Sequence, residues 1–442
     1  MSRQILIIGA GRSCSSLVDY LLEHAKEGDW KVKVGDMDLS LAEDRIHNHP
    51  AGIAFQFDAL NATIRRPEIA GSDLVISMLP ARFHIEVVKD CIDLGKHLIA
   101  PSYVSQEIQN LDGEMKTAGM GILMECGLDP GIDHMSAMEV IDRIKEDGGD
   151  VVRFESFTGG LVAPESDNNP WNYKFTWNPR NVVLAGQGGS AQFIQEGRYK
   201  YVPYHKLFTR VKPIHIDGYG EFEGYPNRDS LKYKKVYGLG QIPTIYRGTL
   251  RRAGFSEAWN TFVQIGMTDD TFQVADLDQL TWRDFTNSFL AYRTDIPVEE
   301  KIQKYLNLSV EIMDKLKWLG LFSEEKIGLK RGTPAQVLQH LLEQKWSLEE
   351  GDKDMIVMWH RFNYMLDGVE KEIHSSMIVL GDAEHTAMSK TVGLPVAISA
   401  RLLLEGKMKL DGVQLPISPD IYTPLLKELE KNGIVFNEKN IL

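Results

Sequence analysis

The chain has 442 residues, 43% hydrophobic and 25% charged, with a net charge of −13. That length suggests two or three domains with ample core material. The acidic balance argues against non-specific binding to nucleic acid or anionic membranes. Cys14, Cys91 and Cys126 lack metal-ligand spacing, so no metal is expected, and so few thiols fit a reducing cytosol. No signal-peptide pattern follows Met1, and no run approaches the length of a membrane-spanning helix, so the expected location is cytoplasmic.

Ile5-Leu6-Ile7-Ile8 is an apolar run that meets Gly9-Ala10-Gly11 and opens into a helical stretch, Leu17 to Lys26. A second strand, Val32-Lys33-Val34, ends at Asp36. Strand, tight turn, helix and an acid-tipped second strand form the pattern of a dinucleotide-binding βαβ unit. Gly9 permits the turn, Gly11 lets the backbone approach a pyrophosphate, and the helix N-terminus offers N–H groups to that anion. Asp36 would accept from ribose hydroxyls and repel a 2′-phosphate, so the expected cofactor is NAD, with NADP disfavoured. The third glycine of the fingerprint is replaced by Cys14, which is small.

The alternation continues. Ile53–Phe57 reads as a third strand ending at Asp58, and Asp73–Leu79 as a buried strand closed by Pro80. A helix follows from Phe83 to Leu94, then a strand, His97–Ala100, closed by Pro101. Ser105 to Ala118 reads as a helix and Gly121–Cys126 as a sixth strand. Six strands with intervening helices predict a doubly wound parallel sheet whose ligands gather at the strands' carboxyl ends. Beyond a helix from Met135 to Lys145 the texture changes. Residues 151 to 266 are rich in Gly, Pro and aromatics, as in an antiparallel sheet with long loops. Residues 276 to 350 turn helical, with cap signals at Thr281/Asp284 and Thr333-Pro334-Ala335-Gln336. Asp367-Gly368 is a hairpin signal. His385 to Glu405 reads as a helix kinked at Pro395, followed by a helix from Tyr422 to Asn432 and a short strand, Ile434–Phe436. The expected domains are 1–128 with 382–442, then 129–270 with 351–381, then a helical 271–350.

Between Arg198 and Arg252 twelve Lys/Arg face four Asp/Glu. Most of these lysines are solvated surface. Arg228, in Tyr225-Pro226-Asn227-Arg228-Asp229-Ser230, and Arg247 and Arg251, bracketing Gly248-Thr249-Leu250, are different. Guanidinium forks on loops hold carboxylates in bidentate fashion. They suit a multiply carboxylated substrate, or an internal ion pair with Asp229 or Glu257. The second dense constellation is Cys126-Gly-Leu-Asp-Pro-Gly-Ile-Asp-His134. Asp129 and Asp133 could accept from a substrate ammonium, and His134 is of a type that titrates near neutrality; alternatively Asp129 caps the turn before Pro130 and Asp133 or His134 caps the next helix, the structural role being favoured for His134.

Those blocks, together with Gly159-Gly160-Leu161, Ala163-Pro164-Glu165, Tyr173-Lys174-Phe175-Thr176-Trp177, Lys353–Met358 and Ala387–Pro395, resemble the saccharopine dehydrogenase family, glutamate-forming type, over nearly the whole chain. The resemblance implies a Rossmann domain, a mixed α/β substrate domain and a helical domain. It implies an oxidoreductase of lysine metabolism that cleaves saccharopine, a tricarboxylate amine, to L-glutamate and 2-aminoadipate 6-semialdehyde, or runs in reverse. It places Ser102, Tyr103, Asp129, Arg228, Arg247, Gly248 and Thr249 on the substrate. It places Gly9, Gly11, Arg12, Ser13, Asp36, Asp58, Ser77, Leu79, Pro80, Gly127 and Thr176 on the cofactor side. Fungal relatives carry Arg where this chain has Asp36 and use NADP, and the departure strengthens the expectation of NAD. Asp129 is the candidate base. Rival readings are a carboxyspermidine-type dehydrogenase and a non-catalytic dinucleotide sensor. The expected partners are small molecules, not nucleic acid or membrane, and a homodimer stays open.

Overall fold

The computed structural model describes residues 2–441. The chain forms two compact units: residues through Val151 together with Asn363 onward, and Val152–Phe362.

The first unit is built on strands β1 (Arg3–Ile8), β2 (Trp30–Asp36), β3 (Gly52–Gln56), β4 (Leu74–Ser77), β5 (His97–Ile99) and β6 (Gly121–Leu123). They stand in the order β6-β5-β4-β1-β2-β3, and Gly412–Gln414 is added beside β6. Every pairing in this sheet is parallel. The fold is the doubly wound α/β sheet that the sequence predicts, extended by a strand from the C-terminal segment. Near-continuous apolar strands follow from burial on both faces, and Leu6, Ile8, Val75, Leu98 and Ile122 share one core. Because β1 pairs β4 on one side and β2 on the other, the crossovers diverge at the end of β1. That is the switch point where ligands of such sheets bind.

Local signals hold with small shifts. Ser105 caps a helix through Ile108 N–H, but the helix predicted to Ala118 is two short ones, Gln106–Gln109 and Asp112–Thr117. Asp367 and Gly368, both at positive φ, make the turn between strands ending at Leu366 and starting at Val369. The last strand is Phe436–Asn440, later than Ile434–Phe436, and it pairs with Val369–Leu380.

One expectation fails. Ala387–Leu404 spans 18 residues and is apolar enough by length and composition to cross a membrane. Its Ser, Thr, Lys, Gly393 and Pro395 mask the run in the sequence. In the fold it is a core helix packed on Ser15–Glu23. Ser389 Oγ accepts from Ser16 N–H at 2.9 Å. A Cβ on Gly393 would lie 2.9 Å from Leu17 N, so glycine sets how closely the two helices approach.

The second unit carries β8 (Ala191–Gln195), β9 (Arg198–Val202), β10 (Lys212–Ile216), β11 (Gly220–Pro226), β12 (Thr244–Arg252) and all but the outer ends of β7 (Asp150–Val162) and β13 (Asp354–Leu366). The order is β10-β11-β12-β7-β13, with β8 against β12 and β9 against β8. The sheet is mixed rather than antiparallel throughout, because β12 runs parallel to β7. Both predicted capping boxes, at Thr281/Asp284 and Thr333/Gln336, are present. The helices they start belong to this unit, joined to it through Trp171, Phe262 and Trp346.

Gly393→Ala tests the helix contact. Alanine raises helix propensity by about 1 kcal/mol, but overpacking costs about 1–3 kcal/mol. The midpoint of chemical denaturation is expected to fall, and a rise would show that the contact is slack.

Candidate functional site

The carboxyl ends of the parallel strands carry the first group of residues. Gly9 leaves β1 at φ 105°, a conformation that suits glycine. Its N–H donates to Gly35 O at 2.8 Å, and a Cβ there would lie 3.3 Å from the Met78 backbone. Gly11 is different: a Cβ there would meet nothing within 4 Å. No protein atom requires glycine at that position, as expected where a ligand's phosphates approach the backbone. Arg12 and Ser13 follow in a single 3₁₀ turn, and Arg12 is exposed. Burial pushes the Cys14 thiol up to about 11, and the Arg45 guanidinium beside it pulls it back. These features fit a dinucleotide.

Asp36 does not present a bare carboxylate. Its Oδ2 accepts from Ala10 N–H at 2.7 Å and its Oδ1 from Asp38 N–H at 3.0 Å. It braces the glycine turn against the end of β2. Asp58, after β3, accepts from Leu60 N–H.

At the end of β4, Ser77 Oγ lies 2.8 Å from His84 Nδ1. Both residues are buried, and burial pushes the His84 imidazole down to about 4, so it is neutral near pH 7. Leu79 and Pro80 follow in the loop leading to that helix. The loops after β5 and β6 come together. Tyr103 Oη donates to Asp129 Oδ1 at 2.9 Å, and Glu125 N–H donates to Ser102 O at 3.0 Å. The Asp129–Pro130 peptide is cis. Gly127 N–H donates to Pro130 O, folding the loop on itself. A Cβ on Gly131 would lie 2.0 Å from Gly127 O, so the Asp-Pro-Gly turn closes only with glycine there.

Beneath that turn is a cluster in which the sequence reading singled out Asp133 and His134 but missed Glu125. Glu125 accepts from Val104 N–H at 3.1 Å and lies 2.8 Å from His134 Nε2. His134 Nδ1 is 3.6 Å from Asp133 Oδ2. Asp133 Oδ1 accepts from Gly131 N–H at 2.6 Å, a cap directed backward from its helix. All three side chains are buried. The available signal was an acid inside the otherwise apolar run Gly121–Cys126. Cys126 itself is inert: burial pushes its thiol up to about 12.

The second unit holds the other predicted residues. β12 pairs with β11 through Tyr225↔Thr249 and with β7 through Thr158↔Thr249. Alternation therefore puts Ser156, Thr158, Glu223, Tyr225, Arg247, Thr249 and Arg251 on one face, with Glu223 opposite Arg251. Gly248 lies on the other face, where a Cβ would meet the Phe157 ring at 2.3 Å. Arg247 is 7% exposed, with its guanidinium 4.2 Å over Tyr233. Arg251 is 4% exposed and stacks over Tyr173 and Phe255, and its Nε finds no hydrogen-bond partner. The Oγ1 atoms of Thr158 and Thr176 are also buried without partners. Arg228 is exposed at φ 50°. Backbone bonds hold its loop on both sides: Asn227 N–H to Arg247 O, Gln192 N–H to Arg228 O, and Ser230 N–H to Gln192 O. Asp229, one internal partner considered for these arginines, accepts from Leu231 N–H.

Comparison with known proteins gives a consistent result. The saccharopine dehydrogenase NADP binding domain model matches residues 5–123, and the saccharopine dehydrogenase C-terminal domain model matches residues 127–434. A saccharopine dehydrogenase [NADP(+), L-glutamate-forming] of Pyricularia oryzae is 34% identical, over 99% of both chains. That of Saccharomyces cerevisiae is 34% identical over 100% of both. The structure of the apo Saccharomyces cerevisiae enzyme covers 100% of both chains at 32% identity, with a TM-score of 0.90. These findings overturn the preference for NAD over NADP, because the matched domain model and the relatives' names specify NADP. Asp36 was read as a bare acceptor facing the ribose, whereas each of its oxygens accepts a backbone N–H, which ties it to the turn while it keeps its charge and further acceptor capacity; the position of this acid alone therefore does not fix the cofactor. By domain models spanning almost its entire length, and by full-length similarity in sequence and structure, this chain belongs to the saccharopine dehydrogenase family.

Proposed function

We propose that this chain oxidatively cleaves saccharopine to L-glutamate and 2-aminoadipate 6-semialdehyde, or runs the reverse reaction, with NADP as its dinucleotide. The observation that carries this reading is the arginine-bearing face of β12, where Arg247 and Arg251 are both buried on one side of a strand. Guanidinium forks hold carboxylates in bidentate fashion, and a tricarboxylate offers several to a face where Glu223, opposite Arg251, is the carboxylate of the chain itself. A polyamine imine, with one carboxylate and extra amines, is poorly served by that face. A non-catalytic sensor gives no reason to retain it.

Each residue then has a role. Gly9, Gly11 and the helix start at Ser15 receive the pyrophosphate, and Arg12 and Ser13 flank it. Arg45, beside Cys14, is the cation placed to meet a 2′-phosphate. Bound NADP⁺ supplies the hydride acceptor. Arg228, Arg247 and Thr249 orient substrate carboxylates. Tyr103 lies beside Asp129 and its hydroxyl fixes the orientation of that carboxylate, with Ser102 next to it in the same loop. Asp129 takes the proton of the secondary amine, which must be neutral before hydride leaves the lysine-derived carbon. Water then adds to the resulting imine, and the carbinolamine collapses to aldehyde and amine. Positioned acid–base groups contribute about 10²–10⁴ in rate.

NADPH formation at 340 nm on adding saccharopine and NADP⁺ tests the activity, and no turnover would overturn the reading. Arg247→Ala is expected to raise KM for saccharopine steeply, since loss of a buried charge contact costs about 2–5 kcal/mol. KM for NADP⁺ should stay within a factor of about two, the scatter expected of independent sites. Arg247→Lys should recover only part, because lysine has no fork. An unchanged saccharopine KM would remove Arg247 from the site. Arg45→Ala is expected to raise KM for NADP⁺ several-fold and to leave that for saccharopine unchanged. Equal behaviour of the two proteins toward NADP⁺ would assign Arg45 to packing.

A further inference from the structure

We propose that Glu125 and His134 are positioning residues, which set the geometry of the Tyr103–Asp129 pair from beneath. The proposal rests on Asp129 as the acid–base group of the reaction above.

The two loops that carry the pair leave different strands, β5 and β6, and backbone bonds join them at their bases, from Cys126 N–H to Ala100 O and from Glu125 N–H to Ser102 O. Glu125 adds a side-chain link nearer the tip, through both carboxylate oxygens. Oε1 accepts the N–H of Val104, the residue after Tyr103, and Oε2 meets His134 Nε2. His134 sits in the first turn of the helix Ile132–Glu146, directly after the Asp129 loop. Asp133 completes the connection by accepting Gly131 N–H, inside that loop. The path from Tyr103 to Asp129 therefore runs Val104, Glu125, His134, Asp133, Gly131, and the Tyr103–Asp129 hydrogen bond closes it at the tip. Glu125 holds a left-handed backbone at φ 55°, which a non-glycine residue adopts only when its surroundings impose it. In that conformation its N–H bonds Ser102 O while its side chain reaches Val104. A carboxylate–imidazole pair sealed from water keeps its geometry because no solvent competes for either partner.

The test is a double-mutant cycle on kcat, with KM for NADP⁺ as the control. Glu125→Ala is expected to lower kcat by about 10–100-fold, the range found when a partner that orients a metal-ligating side chain is removed. KM for NADP⁺ should be unchanged. Glu125→Gln should retain most activity, because its amide can still accept from Val104 and donate to His134. In a Tyr103→Phe background the tip bond is already lost, so Glu125→Ala should cost less than about 3-fold. If Glu125→Ala does not fold, Glu125→Asp serves in the same cycle, since its shorter arm cannot span Val104 and His134 together. Equal cost in both backgrounds, or no cost, would overturn the proposal. The single variants Tyr103→Phe and Asp129→Asn separate the two readings. If neither lowers kcat, the acid–base assignment fails; if both do and the cycle shows no coupling, only the positioning role fails.

Discussion

All strands of the first unit's sheet run in one direction, and most of its chemistry follows from that constraint. A parallel ladder needs a crossover after every strand, so all carboxyl ends share one edge. Gly9, Asp36, Asp58, Ser77, Ser102 and Gly127, dispersed over more than a hundred positions, therefore come to one rim. The switch in strand order at β1 opens that rim for a dinucleotide, and Gly11 leaves space above its own backbone. The same constraint brings the loops after β5 and β6 side by side, which allows Tyr103 to reach Asp129.

The second unit solves a different problem. A strand that carries Arg247 and Arg251 inside a sheet must compensate two charges. Aromatic rings from Tyr173, Tyr233 and Phe255 lie under the guanidinium planes, which favours the cations without neutralising them. Glycine at 248 relieves the opposite face, where Phe157 leaves no room. Polar atoms at Thr158, Thr176 and Arg251 are left without protein partners. Such a face suits an anionic, hydrogen-bonding ligand better than an apolar one.

Asp36 shows where local electrostatics misleads. An acid at the tip of the second strand reads as a ribose acceptor because position alone gives its charge but not its bonds. Here the carboxylate is engaged in holding the turn it was expected to serve, and Arg45 brings a cation to the same corner. The sign of one side chain does not decide the field a phosphate meets.

The residues by themselves determined the parallel sheet, the capping boxes, the turn at Asp367-Gly368 and the family, because each rests on neighbours in sequence or on blocks kept in order. The forked chemistry of Arg247 and Arg251 singled them out in the sequence as candidate carboxylate ligands on loops, but the fold sets both inside strand β12. Tertiary structure alone decided that Ser77 pairs with His84, that Gly393 admits a helix against Leu17, and that Glu125 joins Val104 to His134. Those contacts link segments whose proximity is set by strand order and packing, and a sequence encodes them only as a buried polar residue or a glycine with no local reason to be there.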